Sequence, residues 1–245
     1  MKIARFRWGD SALYGVVEGD VVYSLQGDLF GSPIRGAEKC RLADVKLLAP
    51  IVPPKVIGIG PNFGHRTEVP SIFFKPPTAV VGPDDAIVLP RQSPGVAFEG
   101  EMAVIVSKPG KDIPEDKVGE HILGYTCGND LTGRDAQKQD GHRSRAKSFD
   151  TFCPLGPFLV TGLDHANLRI QTRVNGETRQ DGNTRDMVFT VEQVVSFCSG
   201  IVSLEAGDVI LMGTPPGHGL VSDGDVVEVE VEGIGVLRNP VKVQV

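Results

Sequence analysis

Residues 98 to 106 read Phe98-Glu99-Gly100-Glu101-Met102-Ala103-Val104-Ile105-Val106, two glutamates that lead into an apolar run. The alternating pattern from Val96 to Val106 predicts a long β-strand, because successive side chains of a strand point to opposite faces. Glu99 and Glu101 should therefore share one face, about 7 Å apart. Two carboxylates this close are electrostatically unfavourable unless a positive charge lies between them. The simpler alternative is a solvated strand end with two glutamates that bind nothing.

A third acid strengthens the first interpretation. Asp130 follows Gly124-Tyr125-Thr126-Cys127-Gly128-Asn129, a predicted strand, and could otherwise be a helix N-cap. Together with Glu99 and Glu101 it provides three oxygen donors without a cysteine or histidine ligand. Such a set suits Mg²⁺, with Mn²⁺ or Ca²⁺ as alternatives, and disfavours zinc.

Composition limits the function classes. The chain has 245 residues, of which 40% are hydrophobic and 23% charged, as expected of a soluble globular protein. A net charge of -6 argues against a nucleic-acid partner. We find no stretch near the ~18 apolar residues that would span a membrane. The four cysteines contain no CxxC pair, which favours reduced thiols and a cytoplasmic location; they are Cys40, Cys127, Cys153 and Cys198.

The 30 glycines and 18 prolines separate short β-branched runs and predict a strand-rich, α+β fold that is predominantly β. Three strands within the first 25 residues suggest a small β-rich N-terminal region over residues 1–50, followed by a main domain over 51–245. Helical patterns are few. Leu131 to Gln139 could form one short helix, and Thr190 to Ser199 a better one with Thr190 as its N-cap.

Several short motifs in fixed order resemble the fumarylacetoacetate hydrolase family over nearly all of residues 55 to 245. They include Phe74-Lys75-Pro76, Glu99-Gly100-Glu101, Asn129-Asp130-Leu131-Thr132-Gly133-Arg134, Lys147-Ser148-Phe149-Asp150 and Gly213-Thr214-Pro215. The resemblance is to the acylpyruvase and 2-hydroxyhepta-2,4-diene-1,7-dioate isomerase-like branch. It implies a mixed β-sandwich or roll as the catalytic domain, a Mg²⁺-type site and a homodimer.

The resemblance also implies roles for individual residues. Glu99, Glu101 and Asp130 fall on the family's metal-ligand positions. Positions that contact the substrate's carboxylate and oxo group are matched by Arg134, Gln137, Lys147 and Thr214. Lys147 would also take part in catalysis. The alternatives are a surface ion pair for Arg134 and a solvated side chain for Lys147.

A histidine–glutamate pair follows the strand predicted at Lys55 to Gly60. His65 and Glu68 are three residues apart, so one helical turn would bring the imidazole and the carboxylate together as a water-activating base, a pair that the family uses. Only Gly64 separates His65 from the preceding aromatic residue, one residue fewer than in the family. A second shortening replaces a longer, Trp-containing stretch with Asp140-Gly141-His142-Arg143-Ser144-Arg145. Both departures border the substrate side.

These features predict a Mg²⁺-dependent hydrolase that cleaves a carbon–carbon bond in a small 2-oxo acid of the acylpyruvate or fumarylpyruvate type. In that reaction the metal stabilises an enolate and the His65–Glu68 pair activates water. The same metal site would also support isomerisation of a 2-hydroxy-diene diacid or decarboxylation of a 2-oxo acid. A further alternative is a non-catalytic protein that binds 2-oxo acids through the metal.

Overall fold

The N-terminal fifty residues form an antiparallel meander. The computed structural model of the chain describes residues 1–64 and 68–244. The first strands are β1 (Lys2–Trp8), β2 (Ser11–Glu18), β3 (Val21–Gln26), β4 (Ile34–Arg41) and β5 (Lys46–Leu48). Gly9 and Gly19 have positive φ angles in the two tight turns, where glycine is unstrained. The three strands predicted within the first 25 residues are confirmed.

The remaining strands alternate with short helices. They are β6 (Val56–Ile59), β7 (Ile72–Lys75), β8 (Val80–Val81), β9 (Ile87–Leu89), β10 (Val96–Phe98), β11 (Gly100–Val106), β12 (Ile122–Asn129), β13 (Thr132–Gly133), β14 (Cys153–Val160), β15 (Arg169–Val174), β16 (Glu177–Asn183), β17 (Val209–Leu211), β18 (Gly219–Val221), β19 (Val226–Val231) and β20 (Gly235–Val243).

Besides the strands, the described residues form two α-helices and six 3₁₀ helices. The α-helices are α1 (Arg134–Asp140) and α2 (Val191–Ile201); the 3₁₀ helices are Leu42–Asp44, Pro77–Ala79, Glu115–His121, Arg145–Lys147, His165–Asn167 and Thr184–Asp186. Thr190 caps α2 in a reciprocal box with Gln193, which confirms the predicted helix and its N-cap. No described helix is long and apolar enough to cross a membrane.

Three sheets organise the strands. The largest runs β4-β3-β2-β1-β14-β12-β11-β17-β6-β7, with β5 and β8 attached to β1 and β14. A five-stranded sheet runs β16-β15-β19-β20-β9, and a three-stranded one runs β13-β10-β18. Because β1 pairs with β14, the N-terminal meander extends the same sheet that contains β11 and β12. The division at residue 50 stays a prediction.

Strand β11 lies at the centre of the large sheet and is buried on both faces. Met102, Val104 and Val106 point into one core, which also holds the apolar side of α2. Ala103 and Ile105 point into a second core on the opposite face. A strand that buries both faces reads as a continuous apolar run, as Met102 to Val106 does in the sequence.

The long strand predicted from Val96 to Val106 is interrupted at Glu99. Residues before the break form β10 and pair with β13 and β18, whereas residues after it form β11 and pair with β12 and β17. The chain therefore changes sheets at Glu99, which the alternating sequence pattern did not reveal. The fold class is confirmed: the protein is mostly β, with the mixed sheets expected from the resemblance.

The helix predicted at Leu131 to Gln139 begins three residues later, at Arg134. Leu131 donates its backbone N–H to Phe152, and Thr132 pairs with Ala97 in the small sheet. These contacts hold residues 131–133 extended and leave only Arg134–Asp140 helical. Asp130 is consequently not a helix N-cap.

Candidate active site

The break between β10 and β11 brings the three predicted metal ligands together. The backbone N–H of Glu99 donates to the side chain of Asn129 at 2.9 Å, and the N–H of Asp130 donates to the carbonyl of Glu99 at 2.8 Å. One carboxylate oxygen each from Glu99, Glu101 and Asp130 lies within 4.8 Å of the others. We call these three residues the acid cluster. All three are buried, so the interpretation as a solvated strand end is wrong.

Lys147 is the cation in closest contact with the acid cluster. Its Nζ is 2.7 Å from Glu99 Oε2, and it also donates to the Asp130 carboxylate and, at 3.0 Å, to the Asp130 carbonyl. Burial lowers the pKa of Lys147, but Asp130 and Glu99 outweigh it and raise that pKa overall. Lys147 is therefore not the solvated lysine of the alternative interpretation.

A second lysine contacts the acid cluster from the other side. Lys75 at the end of β7 is fully buried, and its Nζ lies 2.6 Å from Asp130 Oδ1 and 3.2 Å from the carbonyl of Leu131. Burial by itself raises the pKa of Asp130, but Lys147 and Lys75 outweigh that effect and lower it overall. Lys75 belongs to the Phe74-Lys75-Pro76 motif, yet sequence reasoning assigned it no role.

Glu101 lacks such compensation. Its Oε2 accepts a hydrogen bond from the backbone N–H of Gly213 at 2.7 Å, but no lysine or arginine among residues 1–64 and 68–244 forms an ion pair with it. Burial first, and then the charge of Asp130, raise its pKa well above the ordinary glutamate value. A buried carboxylate without a direct cationic partner is where a metal ion would be most stabilising.

The predicted substrate residues lie around the acid cluster. Arg134 Nη2 contacts Glu99 Oε1 at 2.8 Å, and its Nη1 donates to Gln137 Oε1 at 3.0 Å. The expectation that both residues occupy one side of a helix holds for α1. Arg134 pairs with a cluster acid, so a surface ion pair does not describe it.

Thr214 contacts the backbone of the segment that carries Glu99 and Glu101. Its hydroxyl donates to the carbonyl of Gly100 at 2.9 Å and accepts from Gln180 Nε2 at 2.8 Å. Gln180 is completely buried on β16 and also accepts the N–H of Gly100 at 3.0 Å. Gln180 thus holds the backbone between Glu99 and Glu101, a role that no motif in the sequence indicates.

These side chains line a cavity of about 320 Å³. Its polar walls are formed by Glu99, Glu101, Asp130, Thr132, Arg134, Gln137, Arg143, Lys147, Thr214 and His218. Phe63 and Phe73 provide its apolar wall, and the Lys147 Nζ lies 4.9 Å from the Phe73 ring centroid. The cavity is concave, combines six charged side chains with apolar walls, and is sized for a small molecule.

Of the predicted catalytic pair, only Glu68 lies within the described residues. His65 lies outside the described residues. Glu68 is exposed and is not among the described residues that line the cavity. The structure thus brings together every other predicted site residue, while the roles of all of them stay predictions.

The residues fit a divalent cation. Three buried carboxylates with oxygen atoms within 4.8 Å of one another form a hard donor set, and Glu101 has no cationic partner among the described side chains. Carboxylate sets of this kind serve hard divalent ions, which keep open positions for water and substrate. The site is that of a divalent-metal enzyme.

Comparison with known families agrees. The fumarylacetoacetate (FAA) hydrolase C-terminal family matches residues 57–242. The chain therefore belongs to the fumarylacetoacetate hydrolase family and is a metal-dependent enzyme of that family. Residues 1–50 match a separate family described as Rv2993c-like, N-terminal.

Three relatives illustrate the range of activities nearby. A solved structure of 5-carboxymethyl-2-hydroxymuconate delta-isomerase from Mycobacterium smegmatis is 43% identical, with a TM-score of 0.96 and 100% of both chains covered. One of 2-hydroxyhepta-2,4-diene-1,7-dioate isomerase from Mycobacterium marinum is 41% identical, with a TM-score of 0.95, covering 100% of this chain and 99% of that one. A mitochondrial oxaloacetate tautomerase of Xenopus laevis is 42% identical over 220 residues, which is 81% of this chain and 69% of that protein.

Proposed function

We propose that the chain is a metal-dependent isomerase that moves a proton within a small 2-oxo acid, interconverting its oxo form with an enol or 2-hydroxy-diene form. The observation that carries the proposal is the position of Lys147. Its ammonium contacts both Glu99 and Asp130 inside the cavity, where negative charge would develop on a substrate bound beside the acid cluster. The isomerase and tautomerase relatives favour this alternative over the predicted hydrolase.

Isomerisation needs stabilisation of an enolate, and the cavity offers it. Magnesium, with Mn²⁺ or Ca²⁺ as alternatives, would be held by Glu99, Glu101 and Asp130 and would supply Lewis acidity. When water takes the proton from carbon 3, the electron pair of that C–H bond forms the C2–C3 double bond and negative charge moves onto the oxo oxygen. A proton returned by water to that oxygen completes the enol. The positive charge of Lys147 stabilises that oxygen electrostatically, since its three ammonium donors already contact Glu99 and Asp130. The Arg134 guanidinium donates a hydrogen bond to it, and Gln137 orients Arg134. Thr214 also lines the cavity.

Hydrolysis would require more than enolate stabilisation. A base must activate a water molecule, and the proposed pair combines His65 with Glu68. The exposed Glu68 offers no described contact with the cavity. Proton movement within the substrate is therefore the function that the described residues support with the fewest further groups.

The test follows deuterium exchange at carbon 3 of oxaloacetate in D₂O with Mg²⁺, together with the absorbance of the enol and the release of pyruvate. A blank without enzyme is essential, since the metal alone promotes these reactions. We expect enzyme-dependent exchange and enol–oxo interconversion without pyruvate, lost on chelation and in Lys147→Met. Pyruvate released from acylpyruvates, and lost in His65→Ala, would instead establish the hydrolase. Pyruvate released from oxaloacetate alone would establish a decarboxylase.

A further inference from the structure

The loop after α1 carries a cation that has no acidic partner among the described residues. The cavity is lined by three cations, Arg134, Arg143 and Lys147. Arg134 and Lys147 pair with acids of the cluster. Arg143 forms no ion pair with any described carboxylate; its Nη1 donates only to the hydroxyl of Ser71, at 3.2 Å. Its guanidinium is thus left with several unused donors at the cavity wall.

The Arg143 guanidinium is held at the active site from several sides. It lies 5.7 Å from the ring centroid of Phe73, the same ring that Lys147 contacts. A Cβ added to Gly60 would approach Arg143 Nη1 to 2.8 Å, so the glycine leaves room for the charged group. Arg143 also lines a neighbouring cavity of about 1090 Å³ and therefore lies where the two cavities meet.

An ion pair and a backbone hydrogen bond fix the conformation of the loop Asp140–Arg145. Arg145 forms a bidentate ion pair with Asp140, with Nε 2.8 Å from Oδ2, which closes the six-residue segment at its base. The carbonyl of Arg143 accepts the backbone N–H of Lys147 at 3.0 Å. The residue that contacts the acid cluster and the residue with the free guanidinium are therefore fixed to one another through the backbone.

The net positive charge of the site favours the binding of a dianion. Three carboxylates face four cations at or beside the cavity, namely Lys75, Arg134, Arg143 and Lys147. A bound divalent ion would add two further positive charges. A 2-oxo acid with one carboxylate neutralises part of this excess, whereas one with two carboxylates neutralises more and gives the free guanidinium a partner.

We propose that Arg143 determines substrate class by binding the distal carboxylate of a dicarboxylic 2-oxo acid whose oxo acid end lies at the acid cluster. This rests on the proposed function for the substrate's orientation. Arg143 is a specificity-determining residue of the shortened loop Asp140–Arg145, while the residues at the acid cluster act on the oxo acid end. His218, which also lines the cavity, is the competing candidate for the same carboxylate.

The experiment measures binding by calorimetry in the presence of Mg²⁺. Two ligand pairs each differ only by a methyl group in place of the distal carboxylate: 2-oxoglutarate with 2-oxopentanoate, and 2-oxoadipate with 2-oxohexanoate. Arg143→Met removes the charge and keeps an apolar stem. Lys138→Met is the matched control, because Lys138 lines the neighbouring cavity only. Oxalate binding reports whether the oxo acid end of the site is intact in each variant.

We expect the wild type to bind at least one dicarboxylate about ten- to hundredfold more tightly than its partner. Arg143→Met should abolish that preference without changing oxalate affinity, and Arg143→Lys should keep part of it because it retains charge but loses the planar fork. Lys138→Met and His218→Asn should retain it. The proposal is overturned if the wild type shows no preference at either length, if Arg143→Met keeps it, or if only His218→Asn loses it.

An activity measurement separates this inference from the proposed function. Exchange at carbon 3 is compared for oxaloacetate and for 2-oxobutanoate, in which a methyl group replaces the distal carboxylate. We expect the ratio of their kcat/KM values to fall about tenfold or more in Arg143→Met. If no substrate exchanges while the binding preference stands, the isomerase proposal fails and the Arg143 assignment survives. If exchange is seen but the ratio does not change in Arg143→Met, the Arg143 assignment fails alone.

Discussion

Strand β12 and the residue directly after it carry two buried polar side chains that have different kinds of partner. The hydroxyl of Tyr125, inside the strand, is hydrogen-bonded to His165 Nδ1 at 2.6 Å, and His165 Nε2 lies 3.0 Å from Glu192 Oε1 on α2. We call these three residues the tyrosine cluster. Each of these contacts joins two protein side chains. Asp130, the residue directly after the same strand, joins the acid cluster, where Glu101 has no ion-pair partner among the described residues.

The contrast between the tyrosine cluster and the acid cluster distinguishes polar contacts that stabilise the fold from polar groups that serve the function. A buried polar group that finds its partner within the protein fixes the packing around it, here the junction of β12 with α2. A cluster whose charges are only partly matched destabilises the folded chain until an external ion or ligand completes it. Three variants test this comparison, beginning with the largest expected effect.

Glu101→Gln keeps the side chain's shape and its capacity to accept the Gly213 N–H, but removes the unmatched charge. We expect turnover to fall by at least about a hundredfold, since a metal ligand is lost. The metal-free variant should unfold at the same temperature as the wild type or higher, because repulsion within the acid cluster is relieved. Turnover against Mg²⁺ concentration and thermal unfolding provide the measurements. Glu177→Gln, at an exposed glutamate, should change neither; a lower unfolding temperature for the metal-free Glu101→Gln protein would contradict the comparison.

Lys75→Met should cost about 3–5 kcal/mol of unfolding free energy, because it leaves the buried Asp130 with one cation instead of two. Chemical denaturation of the metal-free protein measures this loss. Lys138→Met is the control, since Lys138 is exposed and its loss should change stability by about 0.5 kcal/mol or less. If Lys75→Met lost no more unfolding free energy than the control Lys138→Met, Lys147 alone would be compensating the charge of Asp130.

Tyr125→Phe should cost about 1–3 kcal/mol, because the part-buried His165 loses its hydrogen-bond partner. Turnover should not change, since the tyrosine cluster lies apart from the cavity lining. The control is Tyr14→Phe, which removes a hydroxyl that makes no hydrogen bond to a described residue. If Tyr125→Phe lowered turnover and left stability unaltered, the tyrosine cluster would have a functional role and the comparison would fail.

The sequence predicted much of this arrangement because the decisive signals are local. Two glutamates two residues apart and an aspartate after a strand were enough to propose the metal site. The helical spacing of the apolar residues in α2 and its N-cap, Thr190, were also recognisable in the sequence. The motifs then supplied the family and its mostly β fold.

What the sequence did not predict depends on partners distant in the chain. The break at Glu99 arises because β10 pairs with β13 and β18, while β11 pairs elsewhere. Lys75 and Gln180 become part of the site through contacts with residues that lie 34 to 80 positions away. A pattern of alternating polarity contains no information about which strand will be the neighbour.

The same topology orders the assembly of the site during folding. Strands β11 and β12 are consecutive and antiparallel, so the segment that bears all three cluster acids can form from nearby residues alone. Lys75 and Gly213 join only when β6 and β7 dock beside β17 across long stretches of chain, and such distant pairings are slow because their loop-closure entropy is large. We therefore expect the acids to meet before Lys75 and the Gly213 amide arrive. A metal ion present at that stage would hold the three acids together and so favour the docking of β6 and β7 beside β17. We therefore expect magnesium to accelerate refolding as well as catalysis.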